Sequence, residues 1–196
     1  FLADWIRDHG FAAAHIGYEG DVYYLSPRAL SVLQAGLPDA TWHDADLLVN
    51  WVRLVKSDAE ISMMQMAAKI AEGAMQTAWD GARPGVRQCD LMADIVAAQI
   101  RGTDDYGGDL TAVHPLILAG EAAATAHPMW TDAVLEDGQT IAFELGGCRK
   151  RYNVGLVRTI HIGTPPQKLQ DTAKAVEEGM QAVMDSLHAG AITGDV

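Results

Sequence analysis

The sequence predicts a mixed α/β chain, built from long amphipathic helices around a short antiparallel hairpin, and three observations carry that prediction. Ile61, Met64, Met66, Ile70, Met75 and Trp79 recur at helical spacing, and so do Leu169, Ala173, Val176, Met180 and Val183. Apolar runs over 140–145 and 154–161 read as strands joined through the Gly-containing segment 146–150. The first 43 residues alternate helix, strand, helix, strand, an α/β pattern too small to be a complete sheet.

Taken in order, Phe1, Leu2, Trp5 and Ile6 have helical spacing up to the stop at Gly10, and residues 12–18 read as a buried strand. Ser26 and Pro27 mark the start of a helix with Pro in its first turn, closed by Gly36 to Pro38, and Thr41 to His43 form one more short strand. Residues 47–55 are again helical. Ser57 and Glu60 have capping-box spacing and open the first long helix, which Gly81 and Pro84 stop. Residues 90–100 form a further amphipathic helix that ends at Gly102 and a polar, Gly-rich loop. Residues 113–119 read as a strand whose Pro115 favours an edge or a bulge, and 167–187 as the second long helix.

Composition narrows the function. A 196-residue chain with 49% hydrophobic residues has enough apolar side chains for a core. The net charge of −12 argues against nonspecific binding to nucleic acid or an anionic membrane, and it accommodates a small cationic or zwitterionic ligand. Two well-separated cysteines, Cys89 and Cys148, form no Cys-x-x-Cys pair, which predicts a reducing, cytoplasmic setting and no zinc-thiolate site. No apolar run approaches the length of about 18 residues that a membrane helix needs.

The chemistry-bearing residues gather between 127 and 158. Glu144 interrupts an apolar strand, where a carboxylate is rarely buried without a partner, and His127 lies seventeen residues earlier in a loop-like segment. An acid and a base can meet there. The competing reading leaves Glu144 on the solvent side of an edge strand and His127 on the surface, and spacing does not decide between them. Trp130 offers an apolar wall or a packing residue, and Asp109 can face the same site from the Gly-rich loop. His114 and His161, in strands without evident polar neighbours, are assigned to packing or surface.

A weak internal repeat adds a further expectation. Met75-Gln76 recurs as Met180-Gln181, Asp80 as Asp185, Gly85 as Gly190 and Asp90 as Asp195, at a constant offset of 105 residues. The second copy breaks off at Val196, so a pseudo-symmetric domain whose other half is not in this sequence is expected.

These features together resemble the pita-bread family of methionine aminopeptidase, prolidase and creatinase. The resemblance rests on Lys56, Ser57 and Glu60 entering a long helix, the turn at Pro84-Gly85, a His-bearing loop, and a Glu strand followed by a hairpin ending in Arg158-Thr159. Leu47 to Trp51, Gly107 to Asp109, His127 with Trp130, Phe143-Glu144 and Lys150 to Tyr152 resemble the ectoine hydrolase branch. The resemblance implies that residues 1–55 end a small creatinase-type N-terminal domain and that 56–196 form the first half of the catalytic domain. In the metallopeptidases of this fold, two aspartates eleven residues apart on the hairpin help bind two metal ions. Glu144 and Gly155 stand at those positions, and glycine has no donor atom. The resemblance therefore implies metal-independent, cofactor-free hydrolysis of a cyclic amidine such as ectoine, with Glu144 and His127 catalytic and Trp130, Asp109 and Asn153 binding substrate. It also implies a homodimer. Ectoine hydrolases tend to carry His at the Asn153 position and Pro at the Gly155 position, so the substrate of this chain can differ. Two other readings stay open: a metallopeptidase of the aminopeptidase or prolidase type, and a pita-bread domain that binds peptides without catalysis.

Overall fold

The computed structural model describes residues 1–196, which divide into two compact units, 1–58 and 59–196. In the first, α1 (Leu2–Asp8), β1 (His15–Tyr18), α2 (Pro27–Gly36), β2 (Thr41–Asp44) and α3 (Leu48–Leu54) follow one another. Strands β1 and β2 pair in parallel, with His15 opposite Thr41 and Tyr18 opposite Asp44, and α2 makes the crossover between them. Ser26 caps α2 by accepting from Ala29 N at 3.1 Å, and Pro27 occupies the first helical turn, where its missing N–H is not needed.

In the second unit, α4 (Asp58–Gly81) and α5 (Gln88–Arg101) cover one face of a three-stranded antiparallel sheet. Its strands are β3 (Leu116–Ala119), β4 (Thr140–Arg149) and β5 (Tyr152–His161), in that spatial order, and α6 (Gln167–Ser186) comes last. The core follows from two periodicities. Along α4 the buried side is Ala67, Ile70, Ala71, Ala74, Met75 and Ala78, mostly small residues that let the sheet approach the helix closely. Along β4 the alternation sends Ile141, Phe143 and Leu145 into that core, with Leu91, Met92 and Ile95 of α5 beside them. Ala142, Glu144 and Gly146 are thereby turned to the opposite face.

The structure corrects several sequence expectations. Strand β3 begins only after Pro115, because proline has no N–H to give a ladder, and β3 is an edge strand. Gly146 and Gly147 are strand residues rather than turn residues. The turn is Lys150-Arg151, both at positive φ (49° and 69°), which makes a tight two-residue hairpin loop. Gly147 is needed elsewhere: a Cβ there would run into the backbone of Ala67 on α4. Arg149, beside that turn, is engaged by the preceding loop: its Nη1 donates to Gly107 O at 3.0 Å and its guanidinium lies 5.2 Å from the centroid of the Tyr106 ring. His161, expected to lack a polar partner, has Nδ1 3.0 Å from Thr140 Oγ1. No helix is long and apolar enough to cross a membrane.

Candidate active site

The register of β4 and β5 builds the floor of the site. Glu144 pairs with Val157, Gly146 with Gly155 and Cys148 with Asn153, and directly opposed residues project to the same side. Glu144, Gly155 and Asn153 therefore share the face away from the α4–α5 core. The segment Thr111 to His114 borders this face and closes a hollow of about 220 Å³ over it, with Glu144, Asn153, Gly155 and Val157 in its lining.

Asn153 holds that segment in place. Its Oδ1 accepts from Ala112 N at 3.0 Å, while its Nδ2 donates to Arg151 O at 3.1 Å. Both ends of the amide are thus engaged with backbone, so Asn153 shapes the hollow as much as it lines it. Thr111 Oγ1 donates to Val113 O at 2.8 Å and tightens the same turn.

His127 reaches Glu144 from a different part of the chain. It follows the 3-10 turn Gly120–Ala124, and it adopts φ 50°, a left-handed conformation that histidine tolerates better than most residues. Downstream, Thr131 N donates to Gln88 Oε1 at 3.1 Å, and Leu135 N donates to Val86 O at 2.8 Å. The fully buried side chain of Leu135 fixes the far end of the segment. The result is a separation of 3.5 Å between His127 Nε2 and Glu144 Oε2. That is ion-pair distance, longer than a strong hydrogen bond, with the imidazole 72% and the carboxylate 40% exposed. The glutamate is within reach of water and of a proton carrier at once.

The other expected residues are distributed differently. Trp130 packs its indole against the core and meets the His114 ring edge-on at 6.4 Å between centroids. Asp109 lies at the hairpin end, where Oδ2 accepts from Arg151 N at 3.3 Å and its own N–H donates to Cys148 O at 2.9 Å. It is not part of the hollow's lining. His114 is, although its sequence context pointed to packing or surface. Arg158, opposite Phe143, lies on the helix-covered side near Trp79 and does not share the face of Glu144. The signal that would have found His114 is its place two residues ahead of β3, whose Leu116 pairs with Glu144.

No group of three or more His, Cys, Asp or Glu side chains gathers closely enough to hold a metal ion within these residues. On this face of the hairpin Gly155 presents bare backbone, so the two strands bring the Glu144 carboxylate to it without a second one at 155.

Comparison with known proteins agrees with this architecture. The family model for metallopeptidase family M24 matches residues 62–196. The chain is 40% identical over 190 residues to an uncharacterised hydrolase/peptidase of Sinorhizobium fredii, covering 97% of this chain and 48% of that protein. It is 33% identical over 202 residues to the ectoine hydrolase of Halomonas elongata, covering 100% of this chain and 51% of that protein. Among solved structures, the X-Pro aminopeptidase of Thermotoga maritima superposes with a TM-score of 0.81 at 21% identity, over 92% of this chain and 48% of that one. The prolidase of Pyrococcus furiosus does so with 0.78 at 22% identity, over 91% and 50%. The chain spans about half the length of these relatives, and the shared fold is the pita-bread fold. The chain belongs to metallopeptidase family M24.

Proposed function

We propose that the full-length protein opens a small cyclic amidine, ectoine or a close analogue, by hydrolysis of a C–N bond without a metal pair. The observation that carries this reading is the His127–Glu144 pair at 3.5 Å, on a hairpin whose Gly155 offers no second carboxylate to a two-metal cradle. The 33% identity to an ectoine hydrolase supports the choice of substrate.

The chemistry follows from the two side chains. An amidinium is a planar cation, and the Glu144 carboxylate pairs with it and orients its carbon. Glu144 takes a proton from water as the water oxygen bonds to that carbon, giving a tetrahedral adduct. The C–N bond then breaks. His127 delivers a proton to the departing nitrogen and is recharged with the one held by Glu144; as the adduct's hydroxyl gives up its proton and water's oxygen becomes the amide carbonyl, both of water's protons end on the departing nitrogen, which leaves as an ammonium group carrying the positive charge. Trp130 and Asn153 support the site through the segments they pack and pin, and Asp109 does so through the hairpin end. The protein works as a cytoplasmic homodimer in this reading.

The test is turnover by the full-length protein and its Glu144→Gln and His127→Ala variants, following release of the ring-opened N-acetyl-2,4-diaminobutyrate from ectoine. Loss of turnover in both, with folding retained, supports the reading. Wild-type turnover in either variant sinks it.

A further inference from the structure

Two separate segments converge on Glu144: residues 111–114 border the hollow that it lines, and the loop around His127 brings an imidazole to 3.5 Å. The two segments also touch each other. The His114 ring meets the Trp130 indole at 6.4 Å between centroids and 72° between planes, a separation and an angle at which aromatic rings attract. Each ring is mounted on something fixed. Pro115, next to His114, is buried, and Leu116 beyond it pairs with Glu144, so His114 is held at the head of β3 whatever the turn before it does. Trp130 packs against the buried cluster, and Thr131 N after it donates to Gln88 Oε1. His127, three residues before Trp130, has no such mounting. Upstream, the Thr125 N–H and hydroxyl bond to Ala122 O, but residues 126–130 make no hydrogen bond to the rest of the protein. The place of His127 therefore depends on Glu144 itself and on where Trp130 is held.

Resting on the function proposed above, we propose that His114 is a positioning residue for that reaction: its ring, lying against the Trp130 indole, holds the loop that carries His127 at the Glu144 carboxylate. The role needs the flat ring and not its proton. His127 sits at φ 50°, a backbone region that residues other than glycine occupy uncommonly, so the loop has more populated conformations open to it once the ring contact is lost. An acid displaced from its partner by about 1 Å loses much of its effect on rate.

The experiment compares full-length wild type with His114→Ala, His114→Phe, Trp130→Leu and the His114→Ala, Trp130→Leu double variant. Each is measured in ectoine turnover across pH, in a thermal melt and in hydrogen exchange of peptides spanning 125–134. His114→Ala is expected to lower kcat roughly 10- to 100-fold, to change KM less, and to speed exchange at 125–134. His114→Phe keeps a ring without the imidazole, so it should restore kcat, the wild-type pH profile and the slow exchange. The double variant should lose no more kcat than the worse single one, because both changes cut the same contact. His114 is exposed, so its variants should melt with the wild type. A His114→Phe protein as slow as His114→Ala, or one missing a limb of the pH profile, would overturn the positioning role and make the imidazole itself a reacting group. Losses that multiply in the double variant would overturn it too. Trp130 packs in the core, and if Trp130→Leu does not fold, the two His114 variants decide without it. Absence of ectoine turnover in the wild type would sink the proposed function and leave the ring contact to the exchange data. Faster exchange in His114→Ala that His114→Phe repairs would uphold the contact, and equal exchange in all three would overturn it as well.

Discussion

The imidazole of His127 stands 3.5 Å from the carboxylate of Glu144, although the two belong to separate segments and one of them is held in a left-handed backbone conformation. Because both side chains are well exposed, the pair adds little to stability, about 0–1 kcal/mol for such contacts. Glu144→Gln and His127→Ala should therefore leave the denaturation midpoint nearly unchanged and lower kcat by roughly 10²–10⁴-fold, the usual weight of a general acid or base. A large loss of stability with kcat retained would assign the pair to the scaffold.

Asn153 makes a different prediction. Asn153→Ala removes the acceptor for Ala112 N and the donor to Arg151 O, each worth about 1 kcal/mol. The segment carrying His114 should loosen, raising KM more than it lowers kcat. Asn153→Asp, which keeps the acceptor, should recover part of the loss; equal KM in all three proteins would mean that the segment does not shape the substrate site.

Two glycines eight residues apart should respond oppositely. Gly147→Ala forces a methyl against the α4 backbone at Ala67 and should destabilise the protein by about 1–3 kcal/mol, the range for overpacking. Gly155→Ala has open space and should stay within about 0.5 kcal/mol of wild type in urea unfolding. Equal effects would contradict the packing described for β4 against α4.

The cysteines should differ in reactivity. Cys148 is fully buried, and that burial pushes its thiol above the usual range, with the Asp109 charge adding to the shift. At neutral pH a thiol reagent should label the half-buried Cys89 and reach Cys148 only on unfolding. Rapid labelling of both in the native protein would show the hairpin end to be open.

Much of this fold was legible because its helices obey one strong period. The stripes of α4 and α6, the cap at Ser26 and the stop at Gly81 all come from local rules, and they place those elements within a few residues. The hairpin was harder to read. Glycines at 146 and 147 look like turn residues, yet both lie in a strand while two basic residues make the turn, and it is Gly147 alone that the close approach to α4 requires. The same limit applied to the site. Spacing could not bring His127 to Glu144, since that contact depends on Gln88 and Leu135 anchoring the intervening segment. Asp109 looked free for a ligand because its engagement with the Arg151 backbone is a contact across the hairpin end, which no local pattern encodes. His114 was passed over for a similar reason, its setting being made by a tertiary border rather than by neighbours in sequence.

The most direct test of the central claim is ectoine turnover by the full-length protein before and after exhaustive treatment with a strong chelator. With Gly155 in place of a ligand, the account predicts the same kcat/KM in both samples and no gain on adding Mn²⁺, Co²⁺ or Zn²⁺. Activity abolished by the chelator and restored by one of these ions would contradict it, and would put a metal, rather than the Glu144–His127 pair alone, at the reacting carbon.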